Sequence, residues 1–264
     1  MRIYEIAQGQ RRILQVSSFD KVWDKLIVPN CKEILEMYAT TNTLLYRGIA
    51  YNAGFMFRGS SRINRTPKDS HLFLSELFKL GLKELGMTAL RSNSLFAISK
   101  ESFASHFGQY IYMIFPIDGF EYTWTSHADI TLANRKEFVD YWANKKTIEM
   151  VNKAWLANDV NHKDILGHEW IYDYDILNPY RSVSTNVSTI NKLLIKHGYH
   201  PIEPIDLIDV DAINKNFKPR NTDLLEMLGS GNARETMIKG NYYAFGDYYE
   251  NQIKEKLQYY RNNP

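Results

Sequence analysis

The chain has 264 residues, which suits one large domain or two small ones. Lys and Arg total 32 against 30 Asp and Glu, so the net charge of +2 argues against a nucleic-acid coat protein while leaving room for a local basic site. The single cysteine, Cys31, excludes an internal disulfide and a multi-cysteine zinc site, and no apolar run approaches the roughly 18 residues of a membrane span.

In chain order, residues 1–12 carry charges but no apolar stretch of the kind a secretory signal has, so a soluble intracellular protein is expected. The 18–28 stretch is weakly helical and is expected to stop at Pro29. Asn30 with Glu33 has capping-box spacing and predicts a helix through Met37 that contains Cys31 as a small buried hydrophobe. Thr43 to Ile49 reads as a strand, and 52–69, rich in Gly, Ser, Arg and Asn, as a long connection. Asp69 or Ser70 would cap a helix striped by Leu72, Phe73, Leu77, Leu80 and Leu85, with Gly86 as its stop.

Leu95 to Ile98 is a short strand, Ser99 the expected cap of a helix to Phe107, and Gly108 its end. Residues 110–115 form an apolar strand closed by Pro116. Over 120–125, Phe120, Tyr122 and Trp124 alternate with Glu121, Thr123 and Thr125, as a half-buried antiparallel strand does. Asn134 with Glu137 opens a helix to about Leu156. The 157–220 region is less regular, with one helix near 186–197. A short helix at 222–228 ends at Gly229, two strands at 235–239 and 241–245 flank Gly240, and Asp247 with Glu250 starts a C-terminal helix that turns Ile253, Leu257 and Tyr260 inward. Strands and helices mix without a regular βαβ alternation, which predicts an α+β fold with an antiparallel or mixed sheet. One domain over 1–264 is expected, with a helical lead-in over 1–42, a core over 43–245 and a closing helix over 246–264.

Three distant segments carry candidate chemistry. Leu44-Leu45-Tyr46-Arg47-Gly48 puts an arginine at a sheet rim, where a guanidinium can grip phosphate oxygens or simply cover the sheet edge with its stem. Arg91-Ser92-Asn93-Ser94 precedes the 95–98 strand and offers either hydroxyls and a cation to a ligand or an ordinary turn. Glu235 opens a strand after Gly229-Ser230-Gly231-Asn232-Ala233 and serves as a cleft carboxylate or a solvated charge. The 57–68 stretch holds Arg58, Arg62, Arg65 and Lys68 without an acid and could clamp phosphates of a dinucleotide or of a nucleic acid, or stand as a solvated loop. His168-Glu169-Trp170-Ile171-Tyr172 lacks the second histidine of the zinc-protease motif, and Gly229 to Asn232 lacks the Lys-Ser/Thr of a phosphate loop.

Taken together, the three segments resemble the ADP-ribosyltransferase superfamily in its Arg–Ser–Glu branch. Leu45 to Gly48 resembles its first-strand motif, Ser94 to Ala104 its second, and Glu235 to Ile238 its catalytic glutamate and following strand. The resemblance spans residues 43 to 245 and implies a split mixed or antiparallel sheet with flanking helices. It also implies NAD as co-substrate with no metal: Tyr46, Arg47, Gly48, Arg91 and Ser92 would bind NAD, and Arg47, Ser94, Ser99 and Glu235 would form the catalytic group. Tyr242 and Tyr243 could flank the nicotinamide. The family's Ser-Thr-Ser triplet is not intact here, so Ser92, Ser94 and Ser99 remain alternatives for orienting the glutamate. Ala233 stands where the arginine-modifying subtype carries Glu or Gln, which leaves the acceptor open between protein, nucleic acid and water. Chains of this kind are often encoded by bacteriophages, which implies the host cytoplasm and a host-cell target, with no membrane partner. The rival expectation is a non-catalytic phage structural or binding module that keeps the fold without the chemistry.

Overall fold

The computed structural model describes residues 3–6, 11–14, 18–64, 72–125, 141–158, 182–219, 224–232 and 234–263. Its strands are β1 (Ile3–Ile6), β2 (Arg11–Leu14), β3 (Tyr46–Ile49), β4 (Met56–Ser60), β5 (Leu95–Ile98), β6 (Tyr110–Pro116), β7 (Glu121–Thr125), β8 (Phe217–Pro219), β9 (Glu235–Lys239) and β10 (Asn241–Gly246). The helices are α1 (Phe19–Val22), α2 (Val28–Asn30), α3 (Lys32–Thr41), α4 (Leu72–Glu84), α5 (Glu101–Ala104), α6 (Lys145–Asn158), α7 (Val183–Lys196), α8 (Val210–Asn216), α9 (Leu224–Gly229) and α10 (Glu250–Asn262). No described helix is long and apolar enough to cross a membrane. The chain divides into two compact units, one of residues 1–65, 88–129 and 217–264, the other of 66–87 and 130–216.

All ten strands lie in the first unit in the order β1-β2-β4-β10-β6-β3-β5-β9-β7-β8, and each pairing is antiparallel. The fold is therefore α+β with an antiparallel sheet. One rung, Tyr46 opposite Ile98, joins β3 to β5, whereas β3 holds four rungs to β6 and β5 four to β9. The sheet is thus nearly two half-sheets, and the candidate residues sit at the seam.

The first half-sheet is fixed by Tyr38 of α3. Its ring is fully buried edge-on to Phe115, and its hydroxyl donates to Ile114 O (2.6 Å) while accepting from Leu45 N (3.2 Å). That single side chain ties a helix to β6 and to the start of β3. Burial pushes its phenol well above the ordinary range. Phe115, Phe245, Trp23 and Phe57 fill the surrounding core, each such burial contributing about 1.5–3 kcal/mol.

Several local expectations give way to tertiary contacts. The helical run continues past Pro29 to Asn30, because a π-turn over Trp23–Ile27 widens the turn just before the proline, with Val28 N–H bonding Trp23 O. Asn30 does not cap α3. Its amide donates to Leu26 O, and Asp118, in the β6–β7 turn, accepts from Lys32 N (3.1 Å) and Glu33 N (3.0 Å). Within the expected 52–69 connection lies β4, whose Gly59 lies beneath the Tyr242 ring, where a Cβ would come within 2.6 Å of ring atoms. In β7 both faces are buried, Thr123 and Thr125 at 1% exposure, so the strand is not half-wet. The expected caps Asp69, Ser70, Asn134 and Glu137 lie outside the described residues, and α6 starts at Lys145, with Asn144 accepting from Thr147 N (3.3 Å).

Among the described residues, the second unit is mainly helical. Phe73, Leu74, Leu77, Phe78 and Leu82 of α4 are buried, and Phe78 meets Trp142 edge-on at 5.5 Å. Ser182 and Glu76 both accept N–H groups at the start of α7, from Thr185 (3.3 Å) and Val183 (2.7 Å), as orphan N-terminal donors require. Asn191 bonds both the N–H and the C=O of Ile202, closing α7 onto the chain that follows it.

Candidate functional site

Three strands in a row, β3, β5 and β9, carry Tyr46, Arg47, Gly48 and Glu235 and are flanked by Arg91, Ser92, Ser94 and Ser99. Register places Tyr46, Ile98 and Glu235 on one line across the sheet. Past that line β3 and β5 part, and the Arg47 side chain stands where the ladder would have continued. Its Nη1 donates to Phe96 O at 2.9 Å.

Gly48, next in β3, is buried against the turn after α5. A Cβ there would collide with Ala104 O and sit 2.7 Å from Gly108 N. Gly108 in turn lies against the Ile49 backbone so closely that its own Cβ would overlap it. The two glycines let the 101–108 segment lie on β3, which is how the Arg47 strand and the segment after β5 are held together. Tyr46, its neighbour, is half-buried, and its phenol is raised by burial and then by the Glu250 and Glu101 carboxylates.

On β5 and β9 the alternation of side chains separates two faces. Leu95, Ala97, Thr236 and Ile238 are buried, and Thr236 Oγ1 donates to Met227 Sδ of α9 (3.9 Å). Phe96, Ile98, Glu235 and Met237 therefore point the other way. Glu235 is nearly enclosed, 7% exposed at its side chain, and its Oε1 lies 3.5 Å from Nη1 of Arg91. The Arg91 guanidinium lies over the Phe96 ring, 5.0 Å from its centre, and stays 22% exposed.

Phe96 is thus the hub: its carbonyl receives Arg47 and its ring carries Arg91. Arg91 itself is set by a turn that Asn93 builds, accepting from Leu90 N (2.8 Å) and donating to Thr88 O (3.0 Å). Ser94, buried, donates to Asn93 Oδ1 (3.2 Å) and so supports the turn, in which Ser92 also lies.

Ser99 does not cap the helix after β5, where Lys100 takes the N-cap position without a side-chain bond. Its hydroxyl donates to Asn232 O (2.8 Å) and accepts from Arg234 N (3.2 Å), while Ser99 N reaches Arg234 O (3.3 Å). Of the three candidate serines, Ser99 therefore holds the main chain immediately before Glu235. Arg234 extends to the opposite face, its guanidinium 5.2 Å from the Trp124 ring centre.

The site residues named from the sequence all fall in the first unit: Arg47 reaches the Phe96 carbonyl, Arg91 lies over the Phe96 ring and reaches Glu235, Ser99 anchors the approach to Glu235, and Ser94 braces the Arg91 turn. Phe96, Asn93 and Asn232 were not foreseen. Asn93 alone left a trace, since Asn between two serines before a strand is a turn-building residue. Tyr243 is on β10, two strands from β3, beside Arg58, 6.0 Å from its ring centre. Arg58 is an exposed residue of β4 and Arg62 is exposed beyond it, whereas Arg65, Lys68 and Ala233 lie outside the described residues. Compared with protein-family models, with curated proteins and with solved structures, the chain matches none of them.

Proposed function

We propose that the chain is a mono-ADP-ribosyltransferase: it cleaves the nicotinamide–ribose bond of NAD and transfers ADP-ribose to a macromolecular acceptor. One observation carries this reading. Two guanidiniums from segments far apart in the chain reach Phe96, Arg47 at its carbonyl and Arg91 at its ring, and Arg91 also reaches the enclosed carboxylate of Glu235.

The donor set fits a dinucleotide. Arg47 and Arg91 offer planar, permanently charged forks for pyrophosphate oxygens. Glu235 offers a carboxylate shielded from water, where charge acts more strongly than in solvent. As the bond from ribose C1′ to the nicotinamide nitrogen breaks, neutral nicotinamide leaves and positive charge develops on the ribose. Glu235 stabilises that charge much as a carboxylate does in glycoside hydrolysis. The acceptor then bonds to C1′ and gives up its proton. Ser99 keeps the Glu235 backbone in place during this step, and Gly48 keeps β3 in line. Acceptor chemistry stays open between protein and nucleic acid, and a host-cell target follows if the chain is phage-encoded.

A second reading has one observation behind it. Arg91 neutralises Glu235 as a structural ion pair would, which suits a binding module that retains the fold without turnover.

The test is incubation of the purified chain with labelled NAD and a bacterial lysate. Nicotinamide release and a labelled macromolecule, both lost in Glu235→Gln, are expected. Intact NAD after prolonged incubation at high protein concentration favours the binding module.

A further inference from the structure

We propose that Trp124, Arg234 and Lys218 form a binding site for a phosphate group on the face of the sheet turned away from Glu235, a site that does not depend on the transferase reading. Two donors on that face have no acceptor. Trp124 is 1% exposed, and its indole N–H is buried without a hydrogen-bond partner. The Nε–H of Arg234 is buried and equally unpartnered. The two side chains lie against each other, with the Arg234 guanidinium 5.2 Å from the centre of the Trp124 ring. Buried N–H groups almost always find an acceptor, and one left without it costs stability.

Register adds a second cation. Lys218 of β8 stands directly opposite Trp124, and cross-strand partners project to the same face of a sheet. Lys218 and Arg234 are both half-buried, and among the described residues neither has a carboxylate within salt-bridge reach. The neighbouring acids are engaged or turned elsewhere. Glu235 points to the other face, towards Arg91. Glu226 of α9 is exposed and makes no ion pair among the described residues. A partly buried charge without a counter-charge is costly, and the contact of Arg234 with the indole face offsets only part of that cost.

The set therefore lacks an anion, and its make-up says which kind. Two positive charges flank one buried indole N–H. A phosphate dianion matches them in charge, and its tetrahedral oxygens can meet a guanidinium, an ammonium and an indole N–H from different sides at once. A carboxylate carries one charge and two coplanar oxygens, too few for all three groups. Strand β8 ends the sheet, so the set lies at an edge and not in the middle of the core.

The indole N–H reports on its own site. The chain has five tryptophans, and the Trp124 signal in a nitrogen–proton correlation spectrum is the one missing in W124F, or is assigned through bonds should W124F not fold. Inorganic phosphate is titrated into the parent chain, R234Q, R234K and K218Q, with circular dichroism checking the fold of each. R234K carries the test should R234Q not fold. AMP is the second probe, and sodium chloride at equal ionic strength is the control for screening.

Phosphate is expected to move the Trp124 signal downfield and to saturate at millimolar concentration. R234Q is expected to raise the half-saturation concentration about tenfold and K218Q about threefold. R234K keeps the charge without the fork and falls between the parent chain and R234Q. Half-saturation by AMP below that of inorganic phosphate assigns the site to a phosphate ester, and equal or weaker binding assigns it to the free ion; both uphold the site. A Trp124 signal that stays in place at millimolar phosphate, moves as far with sodium chloride, or responds alike in the parent chain, R234Q and K218Q overturns the proposal. Nicotinamide release enters none of these outcomes, so the transferase reading stands or falls separately.

Discussion

Ser99 shows how one hydroxyl can matter more than its position suggests. It serves two main-chain groups of the segment entering β9 and sits at 9% exposure. Ser99→Ala leaves the Arg234 N–H and Asn232 C=O without that partner, at a cost of about 1–3 kcal/mol. Chemical denaturation should show that loss, and NAD turnover should fall with it because the Glu235 backbone is released. Ser94→Ala should cost less in both measurements, since Ser94 bonds only its neighbour Asn93 among the contacts described. Arg47→Lys is a further residue-scale prediction. A lysine keeps the charge but not the fork that can hold Phe96 O and a phosphate together, so kcat/KM for NAD is expected to drop about tenfold or more. An unchanged kcat/KM would remove Arg47 from the site.

Among the elements, α3 and β3 place the site, and each depends on a distant residue. Asp118 caps α3 from the β6–β7 turn with both carboxylate oxygens, while the Asn30 side chain bonds back to Leu26 O. Asp118→Ala is therefore expected to cost about 0.5–2 kcal/mol by urea denaturation and Asn30→Ala less. The reverse order would restore the capping box that the sequence suggests. Gly48→Ala has no side chain to push aside, since Ala104 O and Gly108 N are backbone. A loss of at least ~1–3 kcal/mol is expected, together with lost NAD binding as β3 shifts.

The elements also show which parts of the fold were legible. Strands β5, β6, β9 and β10 and helices α4 and α10 announce themselves by apolar periodicity and by Gly or Pro at their ends. Strand β4 does not. Arg58, Gly59 and Ser60 have little intrinsic strand preference, and the strand exists because β10 pairs with it from Met56 to Ser60 and the Tyr242 ring needs the bare Gly59. Ser99 and Asn30 were misjudged for one reason. A cap is a local pattern in sequence, but a polar side chain goes to whichever main-chain group the tertiary fold brings near.

At the scale of the molecule, the antiparallel α+β character was readable from the irregular order of elements, whereas the division into two units was not. Residues 66–87 and 130–216 gather into a second unit, although no Gly/Ser linker or composition shift marks where they leave the 43–245 stretch. The candidate site was legible as residue types, because Arg47 and Glu235 stand on short strands and Arg91 in the turn before one. That Arg47 and Arg91 both reach Phe96, and Arg91 also Glu235, was not, since it follows from a sheet register no local pattern encodes.

The buried tyrosines give a whole-molecule prediction. Burial raises the phenols of Tyr38, Tyr46 and Tyr243 above their ordinary 10.0 and the Cys31 thiol above its ordinary 9.0. Above those values the unfolded chain loses protons that the folded chain keeps, so deprotonation favours unfolding. This contribution is complete below pH 9.0 and is lost as pH rises through 10.0 and beyond. Tm should fall over that range, and less steeply in Tyr38→Phe, which starts lower by about 1–3 kcal/mol for the lost Leu45 and Ile114 bonds. A flat Tm to pH 11 would contradict it.

The central claim is that Arg47 and Glu235 serve one dinucleotide, and a crystal structure of Glu235→Gln soaked with NAD tests it most directly. The account predicts the pyrophosphate on Arg47 and Arg91, with the nicotinamide ribose against position 235. A dinucleotide bound elsewhere on the chain, or no bound NAD at millimolar concentration, would contradict it.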